Sequence, residues 1–186
     1  SDYEIGLHTS FMSYDNYNNL KADILIIEKE LNYKIKGVRA HYLNISENSL
    51  ENYYDAGLIY DSTIGYTKNQ FGFKDNIDIP YIRKKGEVIE VPLGFMDTVF
   101  YNDNIEKELF KFLEMCRQNQ SLVVVNFHLR SFDENDFPVI TEVYRKFLQQ
   151  IKNDNAYVDT INNVVEYCKE NNIIERNLMF KDDNDE

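Results

Sequence analysis

The sequence predicts an α/β fold organised on a parallel sheet, closed into a barrel or doubly wound, and three observations carry that reading. Short apolar, β-branched runs, of which residues 122–125 are the clearest, are too short for helices and read as buried strands. They alternate with stretches whose apolar residues recur at helical spacing, the signature of βα units joined by right-handed crossovers. The three histidines, His8, His41 and His128, each follow a strand-like segment, and in such folds the strand ends carry chemistry.

Taken in order, the elements begin with a strand over residues 4–8, closed by His8. Asp15 or Asn16 can cap a helix whose Leu20, Ile24, Ile27 and Leu31 share one face. A second strand runs from about Ile35 to Ala40. Ser49 opens a short helix with Leu50, Tyr53 and Tyr54 inward, and Gly57 stands where a left-handed C-terminal cap belongs. A third strand, residues 58–61, leads into residues 62–87, which carry Gly65, Gly72, Pro80 and Gly86 among scattered aromatics. That is long for a plain connection and reads as a binding loop. A strand resumes over 88–93.

Ile105, Leu109, Phe112, Leu113 and Cys116 mark a helix capped by Asn102, Asp103 or Asn104, which leads to the strand ending near His128. Pro138 suits the first turn of a further helix with Val143, Phe147 and Ile151 on one face. A brief strand at 156–158 and a last helix from Thr160 to Asn171, with Ile161, Val164, Val165 and Cys168 inward, complete the pattern.

With 186 residues, 43% of them hydrophobic, the chain can bury one sizeable core, so residues 1–181 read as one domain and 182–186 as an acidic, frayed tail. A net charge of -12 repels phosphate backbones and anionic lipid surfaces and argues against a nucleic-acid partner. The apolar runs fall far below the roughly 18–20 residues of a membrane span. Cys116 and Cys168 lie on apolar helix faces and make no disulfide framework, and no signal peptide opens the sequence. Both points favour a reducing, cytoplasmic setting. The start at Ser1, with no methionine and a strand almost at once, reads as a chain cut at its front.

Five segments resemble the polysaccharide deacetylases, the NodB-like carbohydrate esterases, whose fold is a distorted β/α barrel. Residues 4–10, Glu-Ile-Gly-Leu-His-Thr-Ser, resemble the histidine-serine/threonine motif of that family, which implies His8 as a metal ligand. Arg39-Ala40-His41-Tyr42 resembles Arg-x-Pro-Tyr and implies that Arg39 orients the catalytic base, with His41 standing where proline is usual. Asp61 through Tyr66 resembles Asp-x-x-Trp-x-Tyr with Ile64 for tryptophan, and Asp61 would pair with Arg39. Asn126-Phe127-His128 resembles Leu-x-His without the leucine and implies His128 as general acid; Pro92-Leu93-Gly94-Phe95-Met96-Asp97 resembles a Pro-Leu-x-x-Met-Asp segment of a subgroup.

The departures are as specific. The opening Thr-Phe-Asp-Asp motif, source of the base and of a metal-binding aspartate, has no counterpart in this chain, and the second metal histidine falls at Met12. His41 either takes over that ligand position or plays a structural part beside Tyr42. The resemblance implies a divalent metal, zinc above all, that activates water and polarises a carbonyl. Imidazole, with an ordinary pKa near ~6.5, suits protonation of the leaving amine or alcohol.

The expectation is thus a metal-dependent deacetylase acting on an N- or O-acetylated saccharide, with catalytic residues His128, Arg39 and Asp61, metal ligands His8 and His41, and upstream residues completing the site. The Arg39–Asp61 pair reads equally as an ion pair that fixes two strand ends. Asp97 reads as support behind the site or as a helix-region cap, the cap being favoured. Sugar contacts are expected from Tyr60, Tyr66, Phe71, Phe73 and Tyr81, most of which belong to the core. The alternatives are a catalytically incomplete domain of this kind that binds a saccharide or a partner protein, and a doubly wound module without sugar chemistry. The latter is disfavoured because no glycine-rich phosphate loop follows a strand.

Overall fold

The computed structural model describes residues 3–67, 70–82, 88–101 and 105–175. Four short strands, β1 (Leu7–His8), β2 (Gly37–Arg39), β3 (Tyr60–Asp61) and β5 (Ile89–Glu90), lie parallel in that order. An unpredicted strand, β4 (Tyr81–Ile82), pairs antiparallel on the far side of β5. The single strand expected over 88–93 is two: after β5 the chain bends at Val91-Pro92 and continues as β6 (Leu93–Met96), which pairs in parallel with β7 (Val124–Asn126). Proline has no N–H for a ladder, so the change of partner falls where the ladder is already interrupted. Among the described residues the strands form a five-stranded and a two-stranded sheet, with β1 at an edge, so the arrangement is open α/β and no closed barrel forms.

Helices α1 (Tyr17–Leu31), α2 (Ser49–Asp55), α3 (Ile105–Asn119), α4 (Ile140–Asn153) and α5 (Ile161–Glu170) fill the intervals. Asn16 caps α1 by accepting from the Asn19 amide, and Thr160 caps α5 by accepting from Asn163. Gly57 takes the left-handed conformation after α2. The cap of α3 expected at 102–104, and the acidic tail, lie outside the described residues. Leu31 and Tyr54, expected inward, are exposed, each at the last turn of its helix where the buried stripe has rotated past the sheet. Residues 156–158 form no strand and stand in solvent, and Pro138 sits in a turn two residues ahead of α4.

Apolar residues on both sides of the sheet are covered, which accounts for the near-continuous hydrophobic strands. Leu7 and Val38 pack with Leu20 and Ile24 of α1 and with Tyr53 of α2. Ile89, Val91 and Leu93 pack with Val124 and with Val165 of α5. A third cluster, rich in phenylalanine, joins Phe95 to α3 and α4 through Phe112 and Phe147. The long segment after β3 closes this cluster, with Phe71 stacked on Phe112 and Phe73 beside it. Gly37 is the one residue that lets Tyr60 lie against β2, because a Cβ there would come within 1.8 Å of the ring.

Candidate functional site

Because the strands are parallel, their C-terminal ends share one edge, where ligands of open α/β sheets are received. His8 ends β1, Arg39 ends β2, Asp61 ends β3, Glu90 ends β5, Asp97 follows β6 and His128 comes two residues after β7. Register pairs His8 with Arg39 and Asp61 with Glu90. The sequence-predicted residues therefore all stand at C-terminal strand ends, His8, Arg39 and Asp61 on the five-stranded sheet and His128 after the two-stranded one, in two stations.

The first station is His8 and His41. His8 Nδ1 donates to the Arg39 carbonyl at 3.0 Å, which fixes the tautomer and leaves Nε2 with its lone pair. His41 Nδ1 lies 3.1 Å from that Nε2. Burial pulls the His8 imidazole below its ordinary pKa, and His41, Arg39 and His128 push in the same direction, while the bond to the Arg39 carbonyl opposes them. His128 thus lies within electrostatic reach of His8. The backbone of His41 is held by the Thr9 hydroxyl, which accepts from its N–H at 3.1 Å.

The second station is His128 and Asp97. Asp97 is fully buried, and its carboxylate accepts from the His128 backbone N–H at 2.6 Å, from His128 Nδ1 at 2.8 Å and from the Ser131 hydroxyl at 2.5 Å. The side chain of His128 keeps 44% exposure, so Nε2 is the ring atom left to exchange a proton. A buried carboxylate with three donors behind a half-exposed imidazole is the arrangement by which a histidine is oriented for proton transfer.

Between the stations the expected Arg39–Asp61 ion pair does not form. The Arg39 guanidinium donates to the Ser62 carbonyl at 2.8 Å and to its hydroxyl at 2.9 Å. Asp61, with no exposed surface, accepts from the Thr63 hydroxyl at 2.5 Å and lies in register beside Glu90. Burial raises the Asp61 carboxyl above the usual carboxylate range, against the opposing pull of Glu90, Thr63 and Arg39. The acids Asp61 and Glu90 oppose the effect of burial on the Arg39 guanidinium without an Arg39–Asp61 ion pair.

The model of the WbmS-like polysaccharide deacetylase family matches residues 1–132, which include every residue just described. The chain belongs to that family. Among solved structures, a protein from Mycobacterium smegmatis described as a polysaccharide deacetylase shares 17% identity at a TM-score of 0.68, covering 96% of this chain and 67% of that one. A protein from Bordetella bronchiseptica, described as a polysaccharide deacetylase involved in O-antigen biosynthesis, shares 18% identity at a TM-score of 0.42 over 90% of this chain and 70% of that one. The 4-α-glucanotransferase of Thermococcus litoralis shares 14% identity at a TM-score of 0.50, over 87% of this chain but 26% of its own. A comparison with curated proteins finds no match.

Polysaccharide deacetylases of this family are generally metal-dependent. His8 Nε2 and His41 Nδ1, hydrogen-bonded at 3.1 Å, bring together two imidazoles, a donor type that zinc takes. His8 also shows the outer hydrogen bond to a carbonyl that metal-bound histidines carry. Two ligands of such an ion therefore fit. Among the described residues no group of three metal-binding side chains occurs, and a catalytic zinc takes three. Met12, at the position of the second metal histidine, is exposed.

Sequence reasoning undervalued Asp97, which is no helix cap but the partner of His128. The signal was available: an acid directly after a strand that pairs with the strand leading to His128. Glu90 was missed altogether, though it too ends a strand. Of the aromatics named for sugar contact most belong to the core as expected, with Tyr60, Phe73 and Tyr81 buried.

Proposed function

We propose that this deacetylase-family protein removes acetyl groups, N- or O-linked, from a saccharide. The observation that supports the reading best is the Asp97–His128 dyad. His128 carries a proton on Nε2 and gives it to the leaving amine or alcohol as the acyl bond breaks; Asp97 holds the ring so that Nδ1 points inward throughout. His8 and His41 would hold a divalent metal, with zinc best matched to imidazole donors, and the metal when bound supplies an activated water and a polarised carbonyl. Arg39 and Asp61 act as positioning residues that set the ends of β2 and β3. A second reading, a domain that binds a saccharide or partner protein without turnover, draws on the lack of a third metal ligand among the described residues.

The test is acetate release from acetylated oligosaccharides by the zinc-supplemented protein, with His128→Ala and Asp97→Asn alongside. General-acid loss lowers kcat by about 10²–10⁴-fold in His128→Ala, and Asp97→Asn follows with a smaller loss and an altered pH profile. Equal rates in wild type and His128→Ala overturn the assignment. Saccharide binding without acetate release favours the second reading.

A further inference from the structure

Beside the histidine pair the chain exposes two aromatic rings to which the hydrolytic reading gives no task. Phe11 is 54% exposed and Tyr42 71%. Their centroids lie 6.1 Å apart with the planes at 79°. Both stand edge-to-face on His41, at 6.2 and 4.4 Å, and His41 is 5.0 Å from His8. The rings thus form one aromatic corner that starts at the first station and opens to solvent.

Exposed hydrophobics scattered singly are ordinary. This corner differs because the backbone is held in an unfavourable form to make it. Tyr42 (φ 56) and Leu43 (φ 55) are consecutive non-glycine residues in the left-handed region, a conformation that persists only where the surroundings impose it. The turn is pinned by the Leu43 N–H donating to the Ala40 carbonyl at 3.0 Å and by the bond from His41 to Thr9. Leu43 packs inward against the core under β3 and β5, while Tyr42 is left outward.

We propose that Phe11 and Tyr42 form a sugar-stacking subsite, receiving the C–H face of a pyranose ring next to the acetylated position; for its ligand class the inference rests on the deacetylase reading. Flat rings at a right angle fit one such face and one edge, and the Tyr42 hydroxyl can serve a sugar hydroxyl. A platform fixed in advance spares the ligand an ordering cost. Two rings offer at most roughly 300–500 Å², well short of the ~800 Å² each partner gives to a stable protein interface, so a small ligand suits the corner better than a second copy.

The experiment uses the His128→Ala chain, so that bound sugar is not consumed. Saturation-transfer NMR titrations are run with N,N′,N″-triacetylchitotriose and with an O-acetylated xylotriose. Tyr42→Ala weakens binding by ~10-fold, Phe11→Ala by less, and the double variant beyond detection, whereas Tyr42→Phe binds within about twofold of the parent; circular dichroism checks the fold of each. Unchanged affinity in the double variant, binding of neither sugar, or a dimer that dissociates when the rings are removed would overturn the proposal. Intact, ring-dependent binding by a wild-type protein that releases no acetate would sink the hydrolase reading and leave the subsite standing.

Discussion

The two histidine stations both stand at the C-terminal ends of parallel strands, on two sheets, but are built on opposite plans. At His128 the partner is a buried carboxylate, engaged by three donors, so ring, tautomer and backbone are locked together. At His8 the partners are a carbonyl and a second imidazole, and no carboxylate completes the set among the described residues. A charge-bearing partner suits a group that takes and gives a proton. Two imidazoles joined by one N–H, with His41 Nδ1 donating to His8 Nε2, suit a pair that can give up that hydrogen to a cation. The contrast divides the site into a half centred on a carboxylate-backed histidine and a half centred on two paired imidazoles; in the proposed reading the first transfers the proton and the second supplies part of a metal's ligand set.

The halves also rest on different cores. Under His128 lies the phenylalanine cluster, in which Phe95 meets Phe71, Phe100, Phe112, Phe127 and Phe147 with ring centroids 5.1 to 6.1 Å away. Phe95 sits two residues before Asp97 on β6, so the bed that supports the strand also aims the carboxylate. Phe95→Ala should cost about 3–5 kcal/mol of stability, read by urea unfolding. It should also weaken the link between His128 and Asp97, read as a shifted His128 Cε1–H resonance in NMR. A loss below ~1 kcal/mol would mean that the cluster is loosely packed and that the proton-transfer half is no more rigid than the other.

A smaller effect separates the stations chemically. His8→Ala and His41→Ala, each removing a proposed ligand, should lower zinc affinity by more than the ~10–100-fold that loss of a ligand's outer partner costs, measured by competition with a chromogenic chelator, whereas His128→Ala should leave it unchanged. If His128→Ala loses zinc as readily as His8→Ala, the division into two halves fails. If His41→Ala keeps it, His41 belongs with Tyr42 and Phe11 rather than with the metal.

Much of this was legible in the sequence, because the local signals and the tertiary structure agree. The Asn16 and Thr160 caps, the α3 stripe from Ile105 to Cys116 and the strand leading to His128 are written in short-range chemistry. What was not legible depends on contacts between distant residues. The break of one strand into β5 and β6 follows from which neighbour each half meets. The loop after β3 reads as open because its glycines are visible in sequence, while the Phe112 ring that Phe71 covers is not adjacent to it. For the same reason Arg39 and Asp61 read as an ion pair: opposite charges on neighbouring strands attract on paper, but Ser62 and Glu90 are closer to hand.

The smallest predicted effect concerns the buried acids between the stations, and its sign follows from linkage. Burial raises Asp61, so the folded protein holds its proton above the ordinary carboxylate range, near pH ~4, in which the unfolded chain releases it. Where the native state binds more protons than the unfolded one, stability falls as pH rises. The contribution is therefore fully present below about pH 4 and is lost as pH climbs through the raised range of Asp61. Glu90→Gln mimics the protonated state: its carbonyl can still accept the Ile64 N–H that Glu90 takes at 2.9 Å, and its amide can donate to Asp61. Urea unfolding from about pH 4.5 to about pH 7.5 should show the variant losing ground to wild type at the acid end and gaining on it toward neutrality. Parallel stability curves would mean that both acids are ionised when folded, with Arg39 carrying a double negative charge at its back.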